Sequence, residues 1–290
     1  VDRVNRLGLK VADLLDKKEW NRKLRAILEL KNHELKKLYD HPPLAFEPIY
    51  EEYLGYFQKI YECVAPVEEM LACALKNGER LLFEGAQGTF LDVSFGTFPF
   101  VTSSCTLSGG LAIGAGVGPS AIGHTIGVAK AYTTRVGNGP MPTELTQEEL
   151  SFFKSHEVAR ELGTTTGRKR RIGWLDCCLL RQAVRLNGIQ SLALTKLDVL
   201  DDLNEIRICN GYKGFSRFPV TDIEWRSLQP IYETHPGWKE STHGVEVYGD
   251  LPPNAKAYVR RIEALCEVPV SLVSVGPERE KTLWLDRFFE

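Results

Sequence analysis

No apolar run in this chain approaches 18 residues, so the sequence predicts no membrane-crossing helix. Charge of one sign is not in excess either. Lys and Arg number 36 against 38 Asp and Glu, a formal net charge of −2. That balance argues against a chain-wide basic surface for nucleic acid and leaves only a local basic site open. The seven cysteines (63, 73, 105, 177, 178, 209 and 266) are odd in number, and Cys177-Cys178 is an adjacent pair, not a C-x-x-C. A zinc knuckle and a thioredoxin motif are thereby excluded. Reduced, mostly buried thiols in a cytoplasmic protein are the expectation. The six histidines form no H-E-x-x-H, and neither a G-x-S-x-G elbow nor a G-x-x-x-x-G-K-[ST] phosphate loop occurs. No secretory signal opens the chain. It starts at Val1-Asp2-Arg3 without Met, from which a processed or truncated start is expected.

What is present is ordinary globular material: 290 residues, 43% hydrophobic and 26% charged. A chain this long buries about 75% of its unfolded surface and needs no disulfide or metal to hold a core. Residues 1–80 read as helical. One stretch runs from Val11 to about Leu38 and stops at Asp40-His41-Pro42-Pro43, where proline lacks the N–H a helix needs. A second runs from about Pro48 to Leu75, with Pro66 placed to kink or divide it.

Beyond residue 80 the texture changes. Arg80–Glu84 reads as a short strand, and residues 85–140, dense in Gly, Ser and Thr, read as loops held against a scaffold. Helices are expected over 144–161 and from Trp174 to Leu186, with a loop from Gly163 to Arg171 between them. Ser191–Thr195 reads as a buried strand, 203–250 as short strands and turns, Tyr258–Cys266 as a helix and Val268–Val273 as a strand. Strands alternating with helices imply an α/β fold with a mainly parallel sheet, flanked by helices, in one large domain.

Four segments could carry chemistry. Thr195-Lys196-Leu197-Asp198 follows an apolar strand, at the end where open α/β sheets bind ligands. Asp198 could accept from N1–H and the exocyclic amine of guanine while the stem of Lys196 lies on the base; a strand with a polar turn is the plain alternative. In Thr164-Thr165-Thr166-Gly167-Arg168-Lys169-Arg170-Arg171, small residues offer backbone N–H groups and the arginines can grip a carboxylate or phosphate. A solvated charge run, or a nuclear-localisation-like tract, is the alternative. Phe83–Thr89 brackets Gln87 with glycines, and Val101–Ser104 could bind phosphate or cap a helix. The glycine run 109–123 lacks the G-x-G-x-x-G spacing and reads as close packing.

Taken in order, FEGAQGTFLD (83–92), FVTSS (100–104), YTTRVG (132–137), PTEL (142–145), TTGRKRR (165–171), GWLD (173–176), TKLDVL (195–200), PIYET (230–234) and VSVGP (273–277) resemble the adenylosuccinate synthetase family. The resemblance implies a P-loop-NTPase-like sheet and a GTP-dependent ligase. It joins IMP and L-aspartate through 6-phosphoryl-IMP, with Mg²⁺, to give adenylosuccinate, GDP and phosphate. It further implies IMP contacts at Gln87, Thr102, Val136 and Arg168, and an aspartate loop of Thr164, Thr165, Thr166, Gly167 and Arg168 with Arg170. Arg170, Lys196, Asp198, Ser274, Val275 and Gly276 would contact GTP. Asp2–Gly8 resembles the segment whose arginine crosses to a partner subunit, which makes Arg6 the trans residue of a homodimer. The family's phosphate loop, with its catalytic aspartate, and its catalytic histidine and Mg²⁺ ligands are not found in these residues. The expectation is therefore an N-terminally incomplete chain, inactive by itself, with exposed apolar surface. A non-catalytic IMP- or guanine-nucleotide-binding module and a nucleic-acid binder using Arg168–Arg171 are the rival readings.

Overall fold

A computed structural model describes residues 2–151, 153 and 169–285. It divides into two compact units, Val1–Cys73 and Ala74–Glu290.

The first unit is helical, as the sequence predicts. A 3₁₀ turn at Val11–Leu15 precedes α1 (Lys17–Tyr39) and α2 (Phe46–Ile60), and the boundary between units falls inside α3 (Val67–Lys76). The stretch read as continuous from Val11 is broken at Asp16. Its carboxylate accepts from the N–H groups of Lys18 and Glu19 and so caps α1. Trp20, Leu24 and Leu28 recur every four residues, share one face of α1 and are buried with Leu14, Phe46, Ile49, Tyr50 and Leu54 packed on them. Asp40 closes α1 in the left-handed conformation, directly before His41-Pro42-Pro43. The second helical stretch is divided ahead of Val67, at the expected Pro66.

The second unit is α/β. Its strands are β1 (Ile126–Lys130), β2 (Thr133–Val136), β3 (Arg170–Gly173), β4 (Leu175–Asp176), β5 (Ser191–Thr195), β6 (Glu205–Tyr212), β7 (Pro230–Pro236), β8 (Val270–Ser274) and β9 (Thr282–Trp284). One sheet has the order β1-β5-β8-β9, with β1, β5 and β8 parallel and β9 antiparallel on β8. A second pairs β2 with β3 antiparallel, and a third runs β4-β6-β7. Between them lie α4 (Ser108–Ala115), α5 (Gln147–Leu150), α6 (Cys177–Asn187), α7 (Asp222–Ser227) and α8 (Pro253–Cys266). The core gathers Leu192, Leu194, Ile206, Ile208, Tyr258 and Val273 from both strand groups and α8. No helix among the described residues is long and apolar enough to cross a membrane.

Several expectations need correction. Arg80–Glu84 is not a strand: it joins no ladder among the described residues, and Leu82 is 85% exposed. The 85–140 segment is not all loop, because β1 and β2 lie within it. Trp174–Asp176 is not helical: β4 occupies Leu175–Asp176, and Asp176 then caps α6 by accepting from Cys178 and Leu179 N–H. Arg170 and Arg171 belong to β3 and not to a loop. The helix expected over 144–161 is seen as the four residues of α5, and most of the rest lies outside the described residues. Cysteine burial is also mixed. Cys177, Cys209 and Cys266 are buried and Cys178 is half-buried, whereas Cys63, Cys73 and Cys105 are exposed, outside the main core. Exposed apolar side chains are found at Leu82, Ile113 and Val128.

Candidate functional site

The parallel sheet sets the first wall. β5 is a nearly continuous buried run, Ser191–Thr195, and its carboxyl end delivers Lys196 and Asp198. Beside it, Leu194 pairs with Val273, so the end of β8 delivers Ser274, Val275 and Gly276 to the same edge. Lys196 turns through a left-handed conformation to open a 3₁₀ turn, Leu197–Leu200. Ser274 Oγ donates to Gly276 O at 2.9 Å, and Val275 N–H to Lys281 O at 2.9 Å, which fixes the facing turn. The two segments that the sequence singles out separately are therefore neighbours at the carboxyl ends of adjacent strands.

Asp201 anchors this wall from behind. It is buried and accepts from Trp238 Nε1 at 2.6 Å, Thr242 N at 2.8 Å and Thr242 Oγ1 at 3.0 Å.

A second wall follows from β1. Lys130 pairs with Thr195, Ala131 N–H donates to Thr195 O at 2.8 Å, and the chain enters β2 three residues after Lys130. Lys130 Nζ donates to Thr134 Oγ1 at 2.8 Å and lies 5.6 Å from the Tyr132 ring centre. On the β2–β3 ladder Val136 is the partner of Arg170.

A third segment, residues 88–108, is folded around Asp92. This carboxylate is buried and accepts from Thr106 N at 2.7 Å, Ser94 N at 2.8 Å and Phe95 N at 3.0 Å. Burial alone would raise its pKa, but the backbone donors outweigh burial and hold it below the ordinary carboxylate value. Thr102 N–H donates to Leu91 O at 2.8 Å. Asn187 at the end of α6 fastens both ends of the segment. Its amide donates to Thr89 Oγ1 at 3.0 Å and accepts from Ser108 N at 2.9 Å.

Arg135 ties this segment to β2. Its guanidinium donates to Thr97 Oγ1 and Phe100 O at 2.9 Å each, and to Asn138 O at 3.1 Å. Burial, and then the neighbouring positive Arg171, push its pKa down. Arg171 is itself held in a two-pronged pair by Glu144, which raises its pKa, and donates to Gly139 O at 2.7 Å. Gly139 has φ +111°, and a Cβ there would run into the Arg135 guanidinium and the Phe100 side chain. Arg135→Gln is expected to lower stability by about 2–4 kcal/mol, since several carbonyl and hydroxyl acceptors lose a charged donor at once. Urea denaturation of the full chain measures this, and an unchanged midpoint overturns the linking role.

Six non-glycine residues have positive φ among those described: Arg6, Asp40, Gln87, Lys196, Asp202 and Glu267. Asp40 and Glu267 close helices. Arg6, Gln87 and Lys196 are three of the residues the sequence marks as candidate contacts. Such conformations cost roughly 1–3 kcal/mol and concentrate where a side chain must be aimed. Arg6 lies exposed in the first unit, and the other candidates belong to the second. Thr164, Thr165, Thr166, Gly167 and Arg168 lie outside the described residues. The glycine run is close-packed at Gly110, where a Cβ would sit 2.8 Å from Cys105 O, but not at Gly109, Gly114 or Gly123, which face open space, so close packing does not account for the run as a whole. Sequence reading assigned no role to Lys130, Arg135 or Asp201; YTTRVG (132–137), which contains Arg135, was the nearest local signal for the first two.

The family description "Adenylosuccinate synthetase" matches residues 1–283. The chain belongs to the adenylosuccinate synthetase family. It is 46% identical to adenylosuccinate synthetase of Thermoanaerobacter sp. (strain X514), covering 99% of this chain and 68% of that protein. To that of Caldanaerobacter subterraneus subsp. tengcongensis it is 47% identical, with the same coverage. Among solved structures, fully ligated adenylosuccinate synthetase from Plasmodium falciparum superposes with a TM-score of 0.90 at 33% identity, over 98% of this chain and 68% of that one. The α/β architecture, with mainly parallel strands flanked by helices, is thus that of adenylosuccinate synthetase, and membership places the chain with the ligases of AMP synthesis.

Proposed function

We propose that these residues form the nucleotide and aspartate walls of a GTP-dependent ligase that joins IMP to L-aspartate through 6-phosphoryl-IMP. One observation carries this reading: β5 and β8 bring Lys196–Asp198 and Ser274–Gly276 to one edge, while β1 leads from that edge into the Val136–Arg170 pair. Asp198 accepts from N1–H and the exocyclic amine of guanine, and the Lys196 stem covers the base. Ser274, Val275 and Gly276 form the other side of that pocket. Gln87, Thr102 and the Val136 backbone hold IMP, with Arg168. Residues 164–168 receive L-aspartate, and Arg170 serves both aspartate and GTP. The γ-phosphoryl group moves to O6 of IMP, and the aspartate amine then displaces phosphate. Such transfer depends mainly on positioning and charge stabilisation, which arginines and backbone N–H groups supply.

The proposal includes a homodimer in which Arg6 reaches the partner's IMP, in the cytoplasm. Mg²⁺ is the implied metal. Among the described residues, three His, Cys, Asp or Glu donor atoms come together at Asp176, Cys178 and Cys209. Two thiols do not suit Mg²⁺, which takes oxygen ligands, so no step here runs through a metal. No residue of this chain is assigned as the base that deprotonates IMP, and little turnover by these 290 residues alone is part of the proposal.

Titration calorimetry of the folded full chain with GTP, ATP and IMP tests the reading, alongside an assay for adenylosuccinate. Binding of IMP, and of GTP in preference to ATP, is expected, with product formation far below enzyme rates. Failure of both IMP and GTP to bind overturns the walls. Normal turnover overturns the claim that the base lies outside these residues.

A further inference from the structure

We propose that Cys178 is an oxidation site for hydroperoxides and that Cys209 closes the product into a disulfide. The pair lies at the β4–β6 ladder, and neither residue is among those assigned to substrates. Asp176 and Cys209 are ladder partners, and Cys178 follows two residues later in the first turn of α6. A carboxylate oxygen of Asp176 and the two sulfurs all lie within 4.8 Å of one another.

Although Cys177 shares its helix turn, three features combine at Cys178. It is half-buried, so a small oxidant can reach it, whereas Cys177, Cys209 and Cys266 are buried. It sits at the N-terminal end of an 11-residue helix, where the dipole favours a thiolate. Arg181, one turn on, donates from Nη2 to its sulfur at 3.4 Å. The other acceptors of that guanidinium are the carbonyls of Asn210 at 3.0 Å and Leu265 at 3.3 Å. Contact with the Cys209 thiol, and then the Arg181 charge, hold the Cys178 thiol below its ordinary pKa against burial and the Asp176 charge. A low-pKa, reachable sulfur beside a second thiol is the arrangement that oxidises selectively.

The chemistry balances with hydrogen peroxide as oxidant. The Cys178 thiolate attacks one peroxide oxygen; an S–O bond forms, the O–O bond breaks, and the departing hydroxide takes a proton to become water. The Cys209 sulfur then attacks the sulfenic acid; the S–S bond forms, the S–O bond breaks, and the second hydroxide leaves as water with the Cys209 proton. Two thiols lose two electrons and one peroxide is reduced. The bond ties the first turn of α6 to β6.

The test uses the full chain with Cys63, Cys73 and Cys105 replaced by Ser, which leaves four thiols. Brief treatment with hydrogen peroxide is expected to lower the thiol titre from four to two, reversibly with dithiothreitol. Cys209→Ser is expected to stop at a sulfenic acid that dimedone traps, and Cys178→Ser to abolish both products. Cys177→Ser is expected to leave the disulfide intact, and Arg181→Gln to slow its formation about tenfold. Should Cys209→Ser fail to fold by circular dichroism, Cys209→Ala replaces it. No loss of thiols under peroxide that oxidises free glutathione overturns the proposal. So does a bond between Cys177 and Cys266, or oxidation that persists in Cys178→Ser.

Discussion

Asp198→Asn is expected to cut the preference for guanine over adenine nucleotides by about 100-fold. In the proposed pocket the carboxylate would offer two acceptors to the N1–H and exocyclic amine of guanine, and each hydrogen bond to a charged group contributes roughly 1.5–3 kcal/mol. Asparagine turns one acceptor into a donor aimed at a donor. Adenine, with an acceptor at N1, gains from the same change, so the loss is a loss of discrimination more than of binding. Competition between GTP and ATP for the folded chain measures it. Retained discrimination moves base recognition to Ser274–Gly276 or elsewhere.

Asp201→Ala is expected to lower the stability of the second unit by about 3–5 kcal/mol. Removing this carboxylate leaves the Trp238 indole N–H and both donors of Thr242 without their acceptor in a buried setting. Asp201→Asn keeps a carbonyl acceptor and is expected to cost less than half as much. Because Asp201 is the residue directly after the Leu197–Leu200 turn, the alanine variant also frees the base of the Lys196–Asp198 wall. Chemical denaturation followed by Trp fluorescence reads the first effect, and nucleotide affinity below the melting temperature reads the second. A loss under 1 kcal/mol refutes the anchoring role.

The legible and illegible parts of this fold separate by where their information lies. β5 was legible because Ser191-Leu192-Ala193-Leu194-Thr195 carries its burial locally, and the polar Lys196 and Asp198 mark where the strand leaves the core. α8 was legible over Tyr258–Cys266 for the same reason, through its spaced apolar residues, but its start at Pro253 was not. β1 was not. Ile126-Gly127-Val128-Ala129-Lys130 is the outer strand of its sheet, and Val128 is 77% exposed, so no run of large buried side chains announces it. β2 and β3 form a ladder whose partners are more than thirty residues apart, and polar Thr133, Thr134 and Arg135 in one and Arg170 and Arg171 in the other leave neither reading as strand by itself. Asp201 resembles any polar turn residue until Trp238 and Thr242 arrive from some 40 residues away. Arg135 likewise finds Thr97 and Phe100 only through the tertiary fold. The motif residues carried the family resemblance; the struts that support them, such as Arg135 and Asp201, depend on distant sequence.

The parallel sheet also sets the tempo of folding. Its ladder and the bonds that lock it join distant positions: Thr195 to Ala129 across 66 residues, Ser271 to Leu192 across 79, and Tyr258 to Ala131 across 127. Contacts of such separation must overcome loop-closure entropy before any of them stabilises the next, and sheets built this way form slowly. α1, with its i to i+4 contacts, faces no such delay. The edge that carries Lys196, Asp198 and Ser274 therefore comes into being late, in the same cooperative step that closes the sheet. A half-folded chain has helices but lacks this edge, and any ligand that binds only the closed sheet selects the finished fold over earlier states.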